Sequence, residues 1–281
     1  MNAIDVSGIT KQYPTFTLGP VSLSLPNGCI MGLVGENGAG KTTLIRLIMG
    51  ATRADGGTVS VLGMDNREPA FHDVKEDVGV VLDEAFFPDV LSPRDIGRVM
   101  AATYRRWDEA VYLSWLDKFN LPEKQLFKEF SRGMKMKLAI AVALSHAPRL
   151  LVLDEPTGGL DPVIRDEILT VFSDFAREEE HAVLISSHIV SDLEKICDYI
   201  ACIHGGQLLL CEEKDRLLEE YAVVKLARED LAALPQQAIH GKRETPYSVE
   251  ALVERSALPA SIRAEHATLE DILLFLVKEE A

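Results

Sequence analysis

The chain has 281 residues, 47% of them hydrophobic, with 29 Lys plus Arg against 44 Asp plus Glu, a formal net charge of −15. That apolar share supports a sizeable core and excludes a disordered chain, while the length suits one large or two modest units. The acidic balance argues against a broad nucleic-acid footprint, which needs clustered Lys and Arg to neutralise phosphates. Cys29, Cys197, Cys202 and Cys211 lack CxxC spacing and read as reduced thiols of a cytosolic protein. Residues 1–8 have neither the basic start nor the apolar centre of a secretion signal. The longest apolar runs, 138–144 and 150–153, fall far short of the roughly 18 residues of a spanning helix, so a membrane role falls to a partner.

Residues 21–25, Val-Ser-Leu-Ser-Leu, alternate with period 2 and predict a strand closed by Pro26-Asn27-Gly28. Residues 29–34 are almost continuously apolar, which suits a strand buried on both faces of a parallel sheet. After a glycine-rich loop, residues 42–49 carry helical apolar spacing (Leu44, Ile45, Leu47, Ile48) up to Gly50. Further strands are predicted at 58–62 and 78–82. Between 83 and 148 strand signals vanish, and Ser92-Pro93 offers an N-cap and first-turn proline for a helix over 94–102. Residues 150–153 and 182–185 return to the buried-strand pattern, and 200–204 with 207–211 predict a hairpin around Gly205-Gly206. Beyond Glu212 come a charged helix, a strand-like stretch at 222–226, and a last helix from Thr268 with Asp271 as its capping pair. This order predicts an α/β core carrying a helical insertion at about 83–148.

Gly35-Glu36-Asn37-Gly38-Ala39-Gly40-Lys41-Thr42 fits G-x-x-x-x-G-K-[ST], directly after a predicted strand and before a predicted helix. Backbone N–H groups of such a loop turn inward around phosphate oxygens, and the helix N-terminus adds its positive dipole. Lys41 then reaches the β- and γ-phosphates and the Thr42 hydroxyl sits on Mg²⁺, with Thr43 next to it. A chance glycine turn is the bland alternative, and the strand–loop–helix context speaks against it. Residues 150–153 run into Asp154-Glu155, an apolar strand ending in two carboxylates. Asp154 is placed to hold Mg²⁺ and Glu155 to take a proton from the attacking water.

With these residues in view, the chain resembles the ATP-binding subunit of an ABC transporter from about residue 4 to 211. Phe130-Ser131-Arg132-Gly133-Met134 stands where that family has its signature stretch, and its SxGM form is similar to cassettes of bacterial two-polypeptide exporters, the bacitracin-resistance type among them. The resemblance implies a P-loop NTPase core with a helical insertion and an N-terminal antiparallel β portion, spanning 1–221, and an extension over 222–281 of unstated role. It implies that Ser131 and the Gly133 amide contact the γ-phosphate held by an opposite subunit, that His188 touches the γ-phosphate of its own site, and that Tyr13 stacks on adenine. Asp83 and Glu84 stand where the family has a glutamine, and Asp83 is taken as a further Mg²⁺ contact. The implied cofactors are ATP and Mg²⁺. The implied partners are transmembrane permease subunits and a second ATP-binding subunit, identical or different, with no nucleic acid. The chain is thereby expected in the cytoplasm, peripheral on the inner face of the membrane. Motion passes to the permease through the region near 86–92, and the direction leans toward export. The rival is a soluble ABC ATPase acting on ribosome or DNA, against which the single phosphate loop and the acidic charge both count. The lysines Lys135 and Lys137 are expected on a solvated helix face, with Met134 and Met136 packing.

Overall fold

Three sheets organise the described residues, and burial along their strands tells them apart. A computed structural model describes residues 1–83, 87–232, 234–244, 248–259 and 262–279. Among these, the first sheet has the order β2-β1-β4-β5 and is antiparallel throughout: β1 Asn2–Tyr13, β2 Phe16–Pro26, β4 Gly56–Val61 and β5 Met64–Asp65. In β2, Val21, Leu23 and Leu25 turn inward while Ser22 and Ser24 face out, the alternation of a sheet with one covered face.

The second sheet has the order β10-β9-β3-β8-β7-β6. Its strands β3 (Ile30–Val34), β6 (Val78–Val81), β7 (Leu150–Asp154), β8 (Ala182–Ser187) and β9 (Tyr199–His204) run parallel, and β10 (Gln207–Glu213) returns antiparallel to β9. Every residue of β3, β7 and β8 is buried. Successive side chains point to opposite faces. Met31, Leu33, Val152 and Leu184 pack with the first sheet and with α1 (Lys41–Ile48), whereas Ile30, Val34, Leu151, Leu153 and Ile185 pack with the helices on the other side. Two covered faces explain the uninterrupted apolar runs of the sequence. The β9–β10 hairpin turns at Gly205-Gly206 as expected, both glycines at positive φ.

After α2 (Phe71–Val74) and β6, the helices α3 (Pro93–Thr103), α4 (Glu109–Lys118) and α5 (Arg132–Leu144) form the inserted segment. Ser92 caps α3 through a reciprocal box with Asp95, and the buried Tyr112 hydroxyl of α4 donates to the Pro93 carbonyl at 2.8 Å. Lys137 corrects one expectation. Its side chain is only 13% exposed and pairs with Glu167 at 2.7 Å, because α5 lies against α6 (Pro162–Phe175). Glu84 and Phe86 lie outside the described residues.

The last part departs furthest from the sequence reading. After α7 (Val190–Ile196) and α8 (Lys214–Glu220), a third sheet with the order β12-β13-β11-β14 is built from β11 (Tyr221–Leu226), β12 (Ile239–Glu244), β13 (Val249–Glu254) and β14 (Glu265–His266), with α9 (Arg228–Ala232) between β11 and β12. The charged helix α8, β11 and the final helix α10 (Leu269–Glu279) are legible beforehand. Thr268 and Asp271 do form the expected capping box. Leu269, Ile272, Leu273 and Phe275 of α10 share one core with Leu193 and Cys197 beside α7, Leu217 of α8, and Val223 and Leu252 of the third sheet.

Candidate functional site

The phosphate-type loop leaves the C-terminal end of β3 and enters α1 at Lys41. Gly40 has φ +117°, and a Cβ there would lie 2.7 Å from Leu18 Cδ1, so only glycine lets the loop close onto β2. The β9–β10 turn braces the loop from behind: Gly206 N–H donates to the Ala39 carbonyl at 3.1 Å. Lys41 is 5% exposed, and its ammonium donates to the carbonyls of Gly35 (2.7 Å) and Glu36 (3.3 Å). It also sits 3.1 Å from Glu155 Oε1, so this buried charge is fully partnered.

Asp154 ends β7 and is 3% exposed. Its two oxygens accept from Thr42 Oγ1 at 2.8 Å and from Ser186 Oγ at 2.6 Å. The next residue, Glu155, has φ +51°, a left-handed backbone that turns its side chain out of the strand direction. The turn is held by Ser186, whose carbonyl and hydroxyl take the Glu155 N–H at 3.1 and 3.0 Å. Glu155 Oε2 then accepts from the His188 backbone N–H (3.2 Å) and from His188 Nδ1 (2.7 Å). His188 Nδ1 is thereby committed to the carboxylate, which leaves Nε2 as the ring's other hydrogen-bonding atom.

Glu36, Asn37, Gly38, Gly40, Lys41, Thr42, Thr43, Asp83 and Glu155 line one cleft, and Phe16 joins them. Gly35 contributes through its carbonyl, Ala39 is buried beneath, and Asp154 forms the floor beside Thr42. Asp83 is in the wall, and its Oδ1 accepts from Arg132 Nη2 at 2.9 Å. Tyr13 does not line the cleft. It lies at the end of β1, 38% exposed and opposite Phe16 across the turn, with Lys11 Nζ 5.8 Å from its ring centre. Ser131 and Gly133 also stand apart from the cleft, at the start of α5. Ser131 caps Met134 N–H at 3.3 Å, and Gly133 is buried where a Cβ would meet Ile164 Cδ1 at 2.8 Å.

Phe16, Ser186 and Arg132 are functional candidates that the motifs alone do not reveal. Phe16 opens β2 one strand away from the loop it faces, so only the pairing of sheets brings it in. Ser186 precedes His188 by two residues, and its position at a parallel strand end next to β7 was the available signal.

A glycine loop between a central parallel strand and a helix, with an aspartate floor and a bridged glutamate–histidine pair, defines a P-loop nucleotide-binding ATPase. The sequence profile described as ABC transporter matches residues 18–158. The bacitracin transport ATP-binding protein BcrA of Enterococcus faecalis is 34% identical over 73% of this chain and 68% of its own length. The lantibiotic transport ATP-binding protein SrtF of Streptococcus pyogenes is 34% identical over 75% of this chain and 91% of its own. A solved ATP-binding subunit of an ABC transporter superposes with a TM-score of 0.68 at 26% identity, over 76% of this chain and 91% of that one. The chain belongs to the ABC transporter family as an ATP-binding subunit, an ATPase whose hydrolysis powers transport. These relatives support the transporter reading and leave the ribosome- or DNA-directed one without support. No helix among the described residues is long and apolar enough to cross a membrane.

Proposed function

We propose that this subunit powers export through separate permease subunits, working as one of two cassettes that share their ATP sites. The observation that carries the reading is Glu155, whose carboxylate joins Lys41 and His188 in a single cleft. When triphosphate enters, its oxygens replace the Gly35 and Glu36 carbonyls around the Lys41 ammonium, and Glu155 is left with His188. Glu155 then accepts the proton of the attacking water, and His188, held through Nδ1, places Nε2 toward the γ-phosphate.

Mg²⁺ fits the residues present. Thr42 Oγ1 and Asp154 Oδ2 are hard oxygen donors 2.8 Å apart at the cleft floor. The described residues hold no cluster of three or more His, Cys, Asp or Glu suited to a metal. Mg²⁺ commonly takes one or two protein oxygens and completes its shell with substrate phosphate and water. Bound there, it neutralises charge building on the phosphates. Asp83, already paired with Arg132, is left outside the metal set.

The N-terminus of α5, capped by Ser131 and carrying the Gly133 amide, serves the nucleotide of the opposite cassette, which is identical to this chain or a near relative. Tyr13 and Phe16 together offer the aromatic surface for adenine. The relatives named for bacitracin and lantibiotic transport support a transport role, for which export is our reading, with permease partners holding the subunit at the inner face of the membrane. The test is Glu155→Gln with ATP. The variant should bind ATP, lose about 10²–10⁴ in turnover, and accumulate as a nucleotide-dependent dimer on a sizing column. Turnover at the parent rate would sink the assignment of the base, and a chain that stays monomeric with ATP bound would sink the shared site.

A further inference from the structure

Arg132 sits between Ser131 and Gly133. It occupies the first turn of α5, half exposed, and its Nη2 lies 2.9 Å from Asp83 Oδ1 at the end of β6. Asp83 shares the cleft wall with Lys41, Thr42 and Glu155. The same guanidinium also covers the turn that follows Glu155. At Gly159, where φ is +67°, a Cβ would lie 3.0 Å from Arg132 Nη1 and 3.2 Å from its Cζ. At Gly158 a Cβ would lie 3.6 Å from Nη2 and 3.3 Å from the Glu155 carbonyl. The two glycines therefore leave the room that the planar guanidinium fills. One side chain of the inserted helical segment thus touches both the wall of the nucleotide cleft and the turn behind its base.

We propose that Arg132 is a positioning residue for the nucleotide cleft of its own chain: it neutralises the Asp83 carboxylate in the wall and braces the Gly158-Gly159 turn behind Glu155. The inference rests on the cleft being the ATP site. A carboxylate in the wall repels a polyphosphate, and an adjacent guanidinium cancels most of that field. The pair is exposed, with side chains 55% and 52% accessible, so it adds little to folding and its effect falls on binding. Because the charges are solvent-accessible, the effect is also screened by salt.

ADP is the suitable probe, since it lacks the γ-phosphate that would draw two cassettes together. Its affinity is measured in the full chain by fluorescence of a labelled analogue, for the parent, Arg132→Gln, Asp83→Asn and the double variant. Arg132→Gln should weaken ADP by about threefold at low salt, with the loss fading at about 0.5 M salt and the melting temperature unmoved. Asp83→Asn should tighten ADP by a similar factor, and the double variant should return to within about twofold of the parent, because the two charges act on the nucleotide with opposite sign. A double variant as weak as Arg132→Gln, with Asp83→Asn at parent affinity, would show Arg132 acting without Asp83 and overturn the proposal. So would parent affinity in Arg132→Gln at low salt. Failure of the underlying reading shows differently: the parent would not bind ADP, or Lys41→Ala would bind it as the parent does.

Discussion

Ser186 Oγ donates to Asp154 Oδ1 at 2.6 Å, a buried bond between the ends of two neighbouring parallel strands. The same hydroxyl accepts the Glu155 N–H, so one serine orients both the proposed metal carboxylate and the left-handed turn of the proposed base. The floor of the cleft is therefore built by strand pairing, with the loop and helix laid over it.

Ser186→Ala removes the partner of a carboxylate that is 3% exposed. Residues that orient metal ligands typically cost about 10–100-fold in metal affinity or activity when lost. The Mg²⁺ concentration for half-maximal ATPase should rise by about that factor, with ADP affinity in the absence of Mg²⁺ little changed. An unchanged Mg²⁺ profile would mean that Thr42 alone orients Asp154.

Lys41→Ala should strike binding itself. A buried charge-assisted contact to phosphate is lost, worth about 1.5–3 kcal/mol, or roughly 10–150-fold in affinity. Titration calorimetry with ATP reads it directly. Parent-like affinity would place the nucleotide in another part of the molecule.

His188→Ala separates orientation from binding. Glu155 Oε2 loses the 2.7 Å Nδ1 contact but keeps the backbone N–H at 3.2 Å, so the carboxylate remains near its place with less restraint. Turnover should fall by about 10²-fold or more, with ATP affinity within a few-fold of the parent. A large loss of affinity at parental turnover would reverse the assignment.

The catalytic half of the molecule is legible in sequence because its constraints are local and periodic. The stretch from β3 through Thr42, the run from β7 into Glu155, and the hairpin at Gly205-Gly206 each follow from apolar runs, glycines and spacing. β1 is less legible: bulges between Val6 and Ile9 and between Ile9 and Lys11 break its alternation. The third sheet is hidden for other reasons. Its edge strand β12 reads Ile-His-Gly-Lys-Arg-Glu, charged as an exposed edge requires, and β13 reads Val-Glu-Ala-Leu-Val-Glu, which suits a helix equally well. Long-range pairing decides both. Asp83 shows the same limit at the site, since its position was readable but its partner lies 49 residues away on α5.

His146 supplies a pH test of the joint between the inserted helices and the main sheet. It follows α5, is fully buried, and stacks on Tyr104 with ring centres 4.0 Å apart, while its Nε2 lies 3.3 Å from the Val78 carbonyl at the start of β6. Burial pulls its pKa below the usual histidine value, and the carbonyls of Val78 and Val142 and the Glu76 charge only partly oppose this. The folded state therefore binds fewer protons here than the unfolded chain, whose histidine titrates near pH 6.5. The stability tied to neutral His146 is complete above about pH 6.5 and is lost as pH falls through the folded value. His146→Phe keeps the ring against Tyr104 but has no proton to gain. It should be less stable than the parent at pH 7.5, because the buried Val78 carbonyl loses its donor, by about 1–3 kcal/mol. Between pH 7.5 and 5.5 the parent should lose more stability than the variant, as read from urea midpoints at the two pH values. Equal losses would show that His146 takes up its proton in the folded chain as readily as in the unfolded one.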